Sequence, residues 1–283
     1  MTVKRLEVLQ KLMRENRSMQ KIVEFSLKIG ERGLHYRDNV LRNAEMAIEL
    51  VGYWPELQVI QLEAPGGIHE RLGVKSFRIL SEAGSEVKPG LRSRAHNYIT
   101  RLTLIGGMEI SSEILVRLGT YFPELQTFRA DNIGPTDALD VIHKDCANGY
   151  TYASHMPRLE SLEVNFGYRH DHKPTTAIST FFFSLIHQAP NIRHIGYRCE
   201  GAHNDKLKLF EAIRKWRGGW KGSCHDTLTT MKLRGFALEW KLLSSKGAVC
   251  SFNQLENIDG EGCVNIERDL AKLMKGGGKK GYA

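Results

Sequence analysis

Trp54-Pro55-Glu56-Leu57-Gln58-Val59-Ile60-Gln61-Leu62 is the stretch on which the fold of this 283-residue chain turns. It sets a proline two residues ahead of a leucine and then spaces apolar side chains as L-x-x-L-x-L. The same frame returns in Phe122-Pro123-Glu124-Leu125 with Phe128 and Ala130, and in Met156-Pro157-Arg158-Leu159 with Leu162 and Val164. It returns again in Ala189-Pro190-Asn191-Ile192 with Ile195 and Tyr197. Half of the chain's 8 prolines fall in this slot, which four unrelated turns do not explain. Copies without the proline are Ile22-x-x-Phe25-x-Leu27, Ile99-x-x-Leu102-x-Leu104, Leu228-x-x-Met231-x-Leu233 and Leu255-x-x-Ile258.

The pattern is that of a leucine-rich repeat, in which each copy adds one short strand and one return segment to a stack. The copies begin at 22, 57, 99, 125, 159, 192, 228 and 255, in steps of 35, 42, 26, 34, 33, 36 and 27 residues. Most steps exceed the usual period of about 20–29 residues, so full helices are expected on the return path. Helical periodicity marks 36–51 (Val40, Leu41, Ala44, Ile48), 112–121, 135–142, 174–188 (Phe181, Phe182, Leu185) and 206–216 (Leu207, Phe210, Ile213). The expected fold class is therefore α/β: a curved solenoid of about seven to nine irregular repeats, with a parallel sheet on the concave side and helices on the convex side. The proline is expected to eject the preceding residue from helix, so that the chain enters the strand extended.

Three segments follow from this frame. Residues 1–21 are expected to form a capping helix, with Leu6, Leu9, Leu12 and Met13 on the face that covers the first strand. Residues 22–265 form the solenoid, in which 66–97 is either an inserted loop or a degenerate copy through Val74, Phe77 and Ile79. Residues 266–283 are expected to be a short helix and a basic Gly/Lys tail without fixed structure.

The whole-chain balance is +8, from 40 basic and 32 acidic residues, with pI near 9.2. The charges are interleaved, so no long basic block forms. The five cysteines, Cys146, Cys199, Cys224, Cys250 and Cys263, are odd in number and widely spaced, without a C-x-x-C. That pattern is expected of free thiols in a reducing compartment. With no signal-like start and no apolar run long enough to cross a bilayer, a cytoplasmic or nuclear location is expected, with no membrane span.

Enzymatic signatures are missing from the sequence: it holds no phosphate loop, no dinucleotide fingerprint and no nucleophile elbow. His170-Asp171-His172 carries metal-ligand types and Cys224-His225-Asp226 the side chains of a thiol triad. Neighbours in sequence rarely meet in the geometry either role needs. The expectation is a non-enzymatic chain with no cofactor and no metal site.

Strand side chains alternate, so the x positions of the repeat are expected to face the concave surface, the default binding surface of a repeat protein. The candidate partner-binding residues are Gln58, Gln61, Arg101, Thr103, Gln126, Arg129, Glu160, Glu163, Arg193, His194, Thr229, Lys232, Glu256 and Asp259. Arg101 and Arg129 are expected to be neighbours on adjacent strands, followed by Glu160 with Glu163, Arg193 with His194, Lys232, and Glu256 with Asp259. Such charge banding suits a protein or peptide partner better than nucleic acid, which calls for a more uniformly basic groove. The alternative is nucleic acid or an anionic surface, bound by Trp216, Trp220 and their basic neighbours Arg214, Lys215, Arg217 and Lys221 together with the tail.

The "Pro-x-Leu-x-x-Leu-x-Leu" entries into each strand, the opening Leu6-Glu-Val-Leu-Gln-Lys-Leu-Met-Arg-Glu-Asn16 with Ile22–Leu27, and Leu233-Arg-Gly-Phe-Ala-Leu-Glu-Trp240 resemble the leucine-rich repeat region of F-box-type proteins. The likeness is to the divergent, ribonuclease-inhibitor-like kind abundant in fungi, and it covers roughly residues 5 to 265. It implies a substrate-recognition half of a ubiquitin-ligase receptor. No F-box is recognisable: about 20 residues precede the first strand, and they hold no Leu-Pro step.

Overall fold

The computed structural model describes residues 21–28, 54, 56–64, 71–72, 98–106, 109–110, 118–133, 155–166, 188–199, 227–234 and 257–259, together with positions 8, 11, 12 and 15. Its strands are β1 (Glu24–Lys28), β2 (Val59–Ala64), β3 (Arg71–Leu72), β4 (Arg101–Gly106), β5 (Glu109–Ile110), β6 (Thr127–Ile133), β7 (Ser161–Phe166), β8 (His194–Cys199), β9 (Thr230–Arg234) and β10 (Asn257–Asp259). One four-residue helix, α1 (Leu118–Tyr121), precedes β6.

All ten strands belong to one sheet, whose main path runs β1-β2-β4-β6-β7-β8-β9-β10. Every ladder in it is parallel. A chain that returns to the same end before each strand can build only such a sheet, because parallel neighbours need a crossover rather than a hairpin. β2 pairs directly with β4, so no strand from 66–97 lies between them. Arg71–Leu72 instead pair with β5, whose Ile110 meets Ile133 of β6. Gly106 ends β4 with φ 88°, a left-handed conformation that costs glycine no Cβ clash. Its N–H donates to Asp131 Oδ2 at 3.3 Å.

Each strand begins at the third position of the repeat frame, at Glu24, Val59, Arg101, Thr127, Ser161, His194, Thr230 and Asn257. From there the period of two takes over. The fourth and sixth positions point to one face and are buried: Phe25 and Leu27, Ile60 and Leu62, Leu102 and Leu104, Phe128 and Ala130, Leu162 and Val164, Ile195 and Tyr197. The first positions Leu57, Ile99, Leu125, Leu159, Ile192 and Leu228 are buried with them. Each large apolar side chain removed from water in this way contributes about 2 kcal/mol against chain entropy.

The prolines sit in turns that lead into the strands. The N–H of Leu57 donates to the Trp54 carbonyl (3.2 Å), Leu125 to Phe122 (3.1 Å), Leu159 to Met156 (3.3 Å) and Ile192 to Ala189 (3.2 Å). The four residues X-Pro-x-Leu thus close a β-turn with proline at its second position, where the fixed φ is already right. Both ends of each turn are core residues: Trp54, Phe122, Met156 and Ala189 are as buried as Leu57, Leu125, Leu159 and Ile192. In the copy whose helix is described, α1 ends at Tyr121, so Phe122 ahead of Pro123 is out of the helix, and the turn then sets the chain's direction into β6.

Successive turns are tied together. Asn191 Nδ2 donates to the Pro157 carbonyl (2.7 Å), and Thr227 Oγ1 lies 3.0 and 2.9 Å from the Pro190 and Ile192 carbonyls. Thr227 occupies the position of Glu56, Glu124, Arg158 and Asn191 in the copy that has lost its proline. Its hydroxyl anchors that copy to the preceding turn.

At the start of the chain Val8, Lys11, Leu12 and Glu15 are helical. Leu12 is 46% exposed, so it does not serve as a buried cap on β1. The other expected cap residues, the helices at 36–51, 135–142 and 206–216, most of 112–121 and 174–188, and the tail at 266–283 lie outside the described residues. So do the Trp216–Lys221 patch, the His170 and Cys224 clusters, and the Val74 copy.

Candidate functional site

The register of the sheet sorts the outward side chains into columns. The fifth position of the frame gives Ser26, Gln61, Thr103, Arg129, Glu163, Gly196, Lys232 and Asp259, each aligned with the next. The third position gives Glu24, Val59, Arg101, Thr127, Ser161, His194, Thr230 and Asn257. Both alternate with the buried positions and so face away from the core. Of the sequence candidates, Gln61, Arg101, Thr103, Arg129, Glu163, His194, Lys232 and Asp259 sit in these two columns.

Gln58, Gln126, Glu160, Arg193 and Thr229 do not. They hold the second position, one residue ahead of each strand, where the carbonyls of Gln58, Gln126, Glu160 and Arg193 link to the next copy. The Gln58 carbonyl accepts from the N–H groups of both Thr100 and Arg101 (2.9 and 3.1 Å). Gln126 accepts from Glu160 and Ser161, Glu160 from Arg193 and His194, and Arg193 from Thr229 and Thr230. Threonine hydroxyls reinforce two steps, Thr100 to Gln58 (3.3 Å) and Thr229 to Arg193 (3.1 Å). This row is a structural edge of the sheet. Glu256, in the same slot, lies outside the described residues.

Arg101 and Arg129 stand on adjacent strands but not opposite each other. Arg101 is aligned with Thr127, and Arg129 with Thr103, because Arg101 occupies the third position and Arg129 the fifth. The two arginines are offset by two residues along the strands, while a row of alternating charge lies within one column. Along the fifth column it runs arginine, glutamate, glycine, lysine, aspartate.

The sheet also brings in residues that the L-x-x-L-x-L frame stops short of. Lys28 and Glu63 form an ion pair across β1 and β2. Asp131, which follows the inward Ala130 of β6, receives Arg129 Nε at 3.1 Å, while Glu163 lies 3.8 Å from the same nitrogen. Asn165 is aligned with Arg198. Extending the frame by one more alternate residue finds Lys28, Glu63, Asn165 and Arg198 in the sequence. The same extension finds Asp131, six residues after Leu125; what the structure adds is its contact with Arg129 and the irregularity of β6 that follows it.

These side chains meet in a concavity of about 400 Å³ on the exposed face, lined by Arg129, Asp131, Glu163, Asn165, Arg198 and Lys232 around Gly196. Gly196 has no side chain to fill its place in the column, and Glu163 leans across it: a Cβ there would lie 2.9 Å from Glu163 Cγ. Asn165 Oδ1 is buried without a hydrogen-bond partner.

Among the described residues no group of three or more histidine, cysteine, aspartate or glutamate side chains could hold a metal ion. No described helix is long and apolar enough to cross a membrane. Neither a protein-family model nor a curated protein sequence matches the chain.

Proposed function

We propose that this chain is a leucine-rich repeat solenoid whose exposed sheet face binds a protein or peptide partner, without catalysis. The observation that carries this reading is the phase of the sheet. Among the described side chains, one face buries the fourth and sixth positions of the copies from Phe25 to Tyr197, while the other presents ordered columns of polar and charged side chains. Parallel sheets are ordinarily covered on both faces. A parallel sheet with one polar face suits a stack of repeats that holds that face for recognition. The alternation of charge along the fifth column favours a partner of mixed charge over a polyanion. The resemblance to F-box-type repeats makes a ubiquitin-ligase substrate receptor the most specific form of this proposal.

Affinity purification from the source cell tests it, comparing the wild-type chain with a Thr103→Arg/Arg129→Glu double variant and with a Glu124→Arg variant at the turn edge. The sheet-face variant is expected to lose partners that the turn-edge variant keeps. An identical partner set for all three sinks the assignment to the sheet face. If the retained partner is nucleic acid, its binding falls steeply and log-linearly with salt, which favours the polyanion alternative instead.

A further inference from the structure

β1 is an end strand of the sheet: among the described residues it pairs with β2 alone. The Val23 carbonyl accepts from the N–H groups of Gln58 and Val59 (2.8 and 3.1 Å). Backbone groups alternate sides along a strand, so those of Val23, Phe25 and Leu27 turn toward β2. Those of Glu24, Ser26 and Lys28 turn toward the outer edge, a row of donors and acceptors that a further strand can pair. The side chains of these three residues are exposed, while Phe25 and Leu27 are buried. Val23, one residue ahead of the strand, leaves an apolar side chain 44% exposed. Glu24 and Lys28 carry opposite charges on either side of Ser26, at equal distance from it. Lys21 and Glu31, again at equal distances from Ser26, continue the complement in sequence.

We infer that the outer edge of β1 joins the same edge of a second copy of this chain, antiparallel and about a two-fold axis through Ser26. This register sets Ser26 opposite Ser26 and Glu24 opposite Lys28 at both ends, so unlike charges stand side by side. It also brings the outward-turned backbone groups of the two strands together, and Glu24, Ser26 and Lys28 form the hydrogen-bonded pairs of the new ladder. Phe25 falls opposite Leu27 on the buried face, an apolar cross-strand pair made twice. A slip of the register by two residues keeps the backbone match but sets Glu24 or Lys28 opposite Ser26, and the charge match is lost. Lys28 keeps its ion pair with Glu63, because an ammonium has three donors. A symmetric contact of this kind closes on itself and stops at the dimer. The two polar sheet faces then lie on one side of a continuous sheet, so the dimer offers a partner two copies of that surface. The contact itself does not depend on what the polar face binds.

Sedimentation velocity of the purified full chain, from about 1 μM to about 500 μM, is the test. Wild type is expected to pass from monomer to dimer within that range, as a small contact does. Glu24→Lys places a lysine opposite Lys28, and Lys28→Glu places a glutamate opposite Glu24. Each reversal touches two symmetric pairs and is expected to weaken the dimer about tenfold or more. An equimolar mixture of the two variants is expected to dimerise again, because every opposed pair then carries unlike charges. Ser26→Pro removes an N–H that the β1–β2 ladder does not use and is expected to abolish the dimer. Ser26→Cys is expected to give a disulfide-linked dimer on mild oxidation that wild type does not give. Hydrogen-bonded antiparallel neighbours stand about 5.5 Å apart at Cα, within disulfide reach. This cross-link decides the matter should a charge reversal fail to fold by circular dichroism. A wild-type chain that stays monomeric throughout, a dimer untouched by both reversals, or a mixture that does not rescue overturns the contact. Assemblies that grow past the dimer overturn the two-fold arrangement and point to head-to-tail pairing of β1 with β10.

Discussion

Gly119 of α1 lies against the His155 carbonyl of the following copy so closely that a Cβ on it would fall 2.3 Å from that oxygen. The same Cβ would meet Met156 Cγ at 2.7 Å. Helix and turn of neighbouring copies therefore touch backbone to backbone, and the space is set by a missing side chain. Gly119→Ala is expected to destabilise the fold by about 2–3 kcal/mol, the cost of overpacking a site whose obstacle is main chain. Urea unfolding followed by circular dichroism measures it; a change below a few tenths of a kcal/mol would show that the two copies can part freely.

The proline turns divide their work between proline and leucine in a measurable ratio. Pro157→Ala leaves the turn's hydrogen bond from Leu159 in place. It is expected to cost only about 0.5–1 kcal/mol, through a freer unfolded chain. Leu159→Ala empties a fully buried site and is expected to cost about 3–4 kcal/mol. Unfolding midpoints of the two variants check the order. The reverse ranking would mean that the turn, not the core, holds the repeat in register.

Thr227→Val keeps the shape of the side chain and removes the hydroxyl that reaches the Pro190 and Ile192 carbonyls. About 1–2 kcal/mol of local stability is expected to go with it. Hydrogen exchange should show the loss first in β9, since that strand follows Thr227 directly. Uniform loss of protection over all strands would contradict a local anchor.

Arg129 is 45% exposed at its side chain, and its contacts to Asp131 and Glu163 are both in reach of solvent. Arg129→Met is expected to change stability by less than about 1 kcal/mol, as exposed ion pairs generally do. A thermal melt under matched salt checks this. A large loss would place Arg129 among the structural residues and remove it from the interaction surface.

Much of the strand frame was readable along the chain. The triplets Leu57, Ile60, Leu62 and Leu159, Leu162, Val164 announce their inward face because side chains in a strand alternate, whatever lies next to them. The outer face was only half readable. Gln126 and Glu160 are exposed like Arg129, and the ladder adds that they precede the strands, with carbonyls that accept from the following copy. Their difference from Arg129 lies in which backbone groups pair across the ladder, and that pairing is a relation between segments more than 30 residues apart.

The sequence by itself determined that the chain repeats a strand with one apolar face, and that proline punctuates the entry to it. Local sterics suffice for both: the period of two comes from the extended backbone, and the fixed φ of proline belongs to the residue alone. The tertiary structure decided that like positions of successive copies stand side by side, so that Arg129 faces Thr103 rather than Arg101. It also decided that X-Pro-x-Leu closes as a turn between two buried residues, and that Gly196 opens a gap between Glu163 and Lys232. Those outcomes depend on register between strands, which hydrogen bonds across the ladder and the packing of copy on copy settle only once the chain is folded.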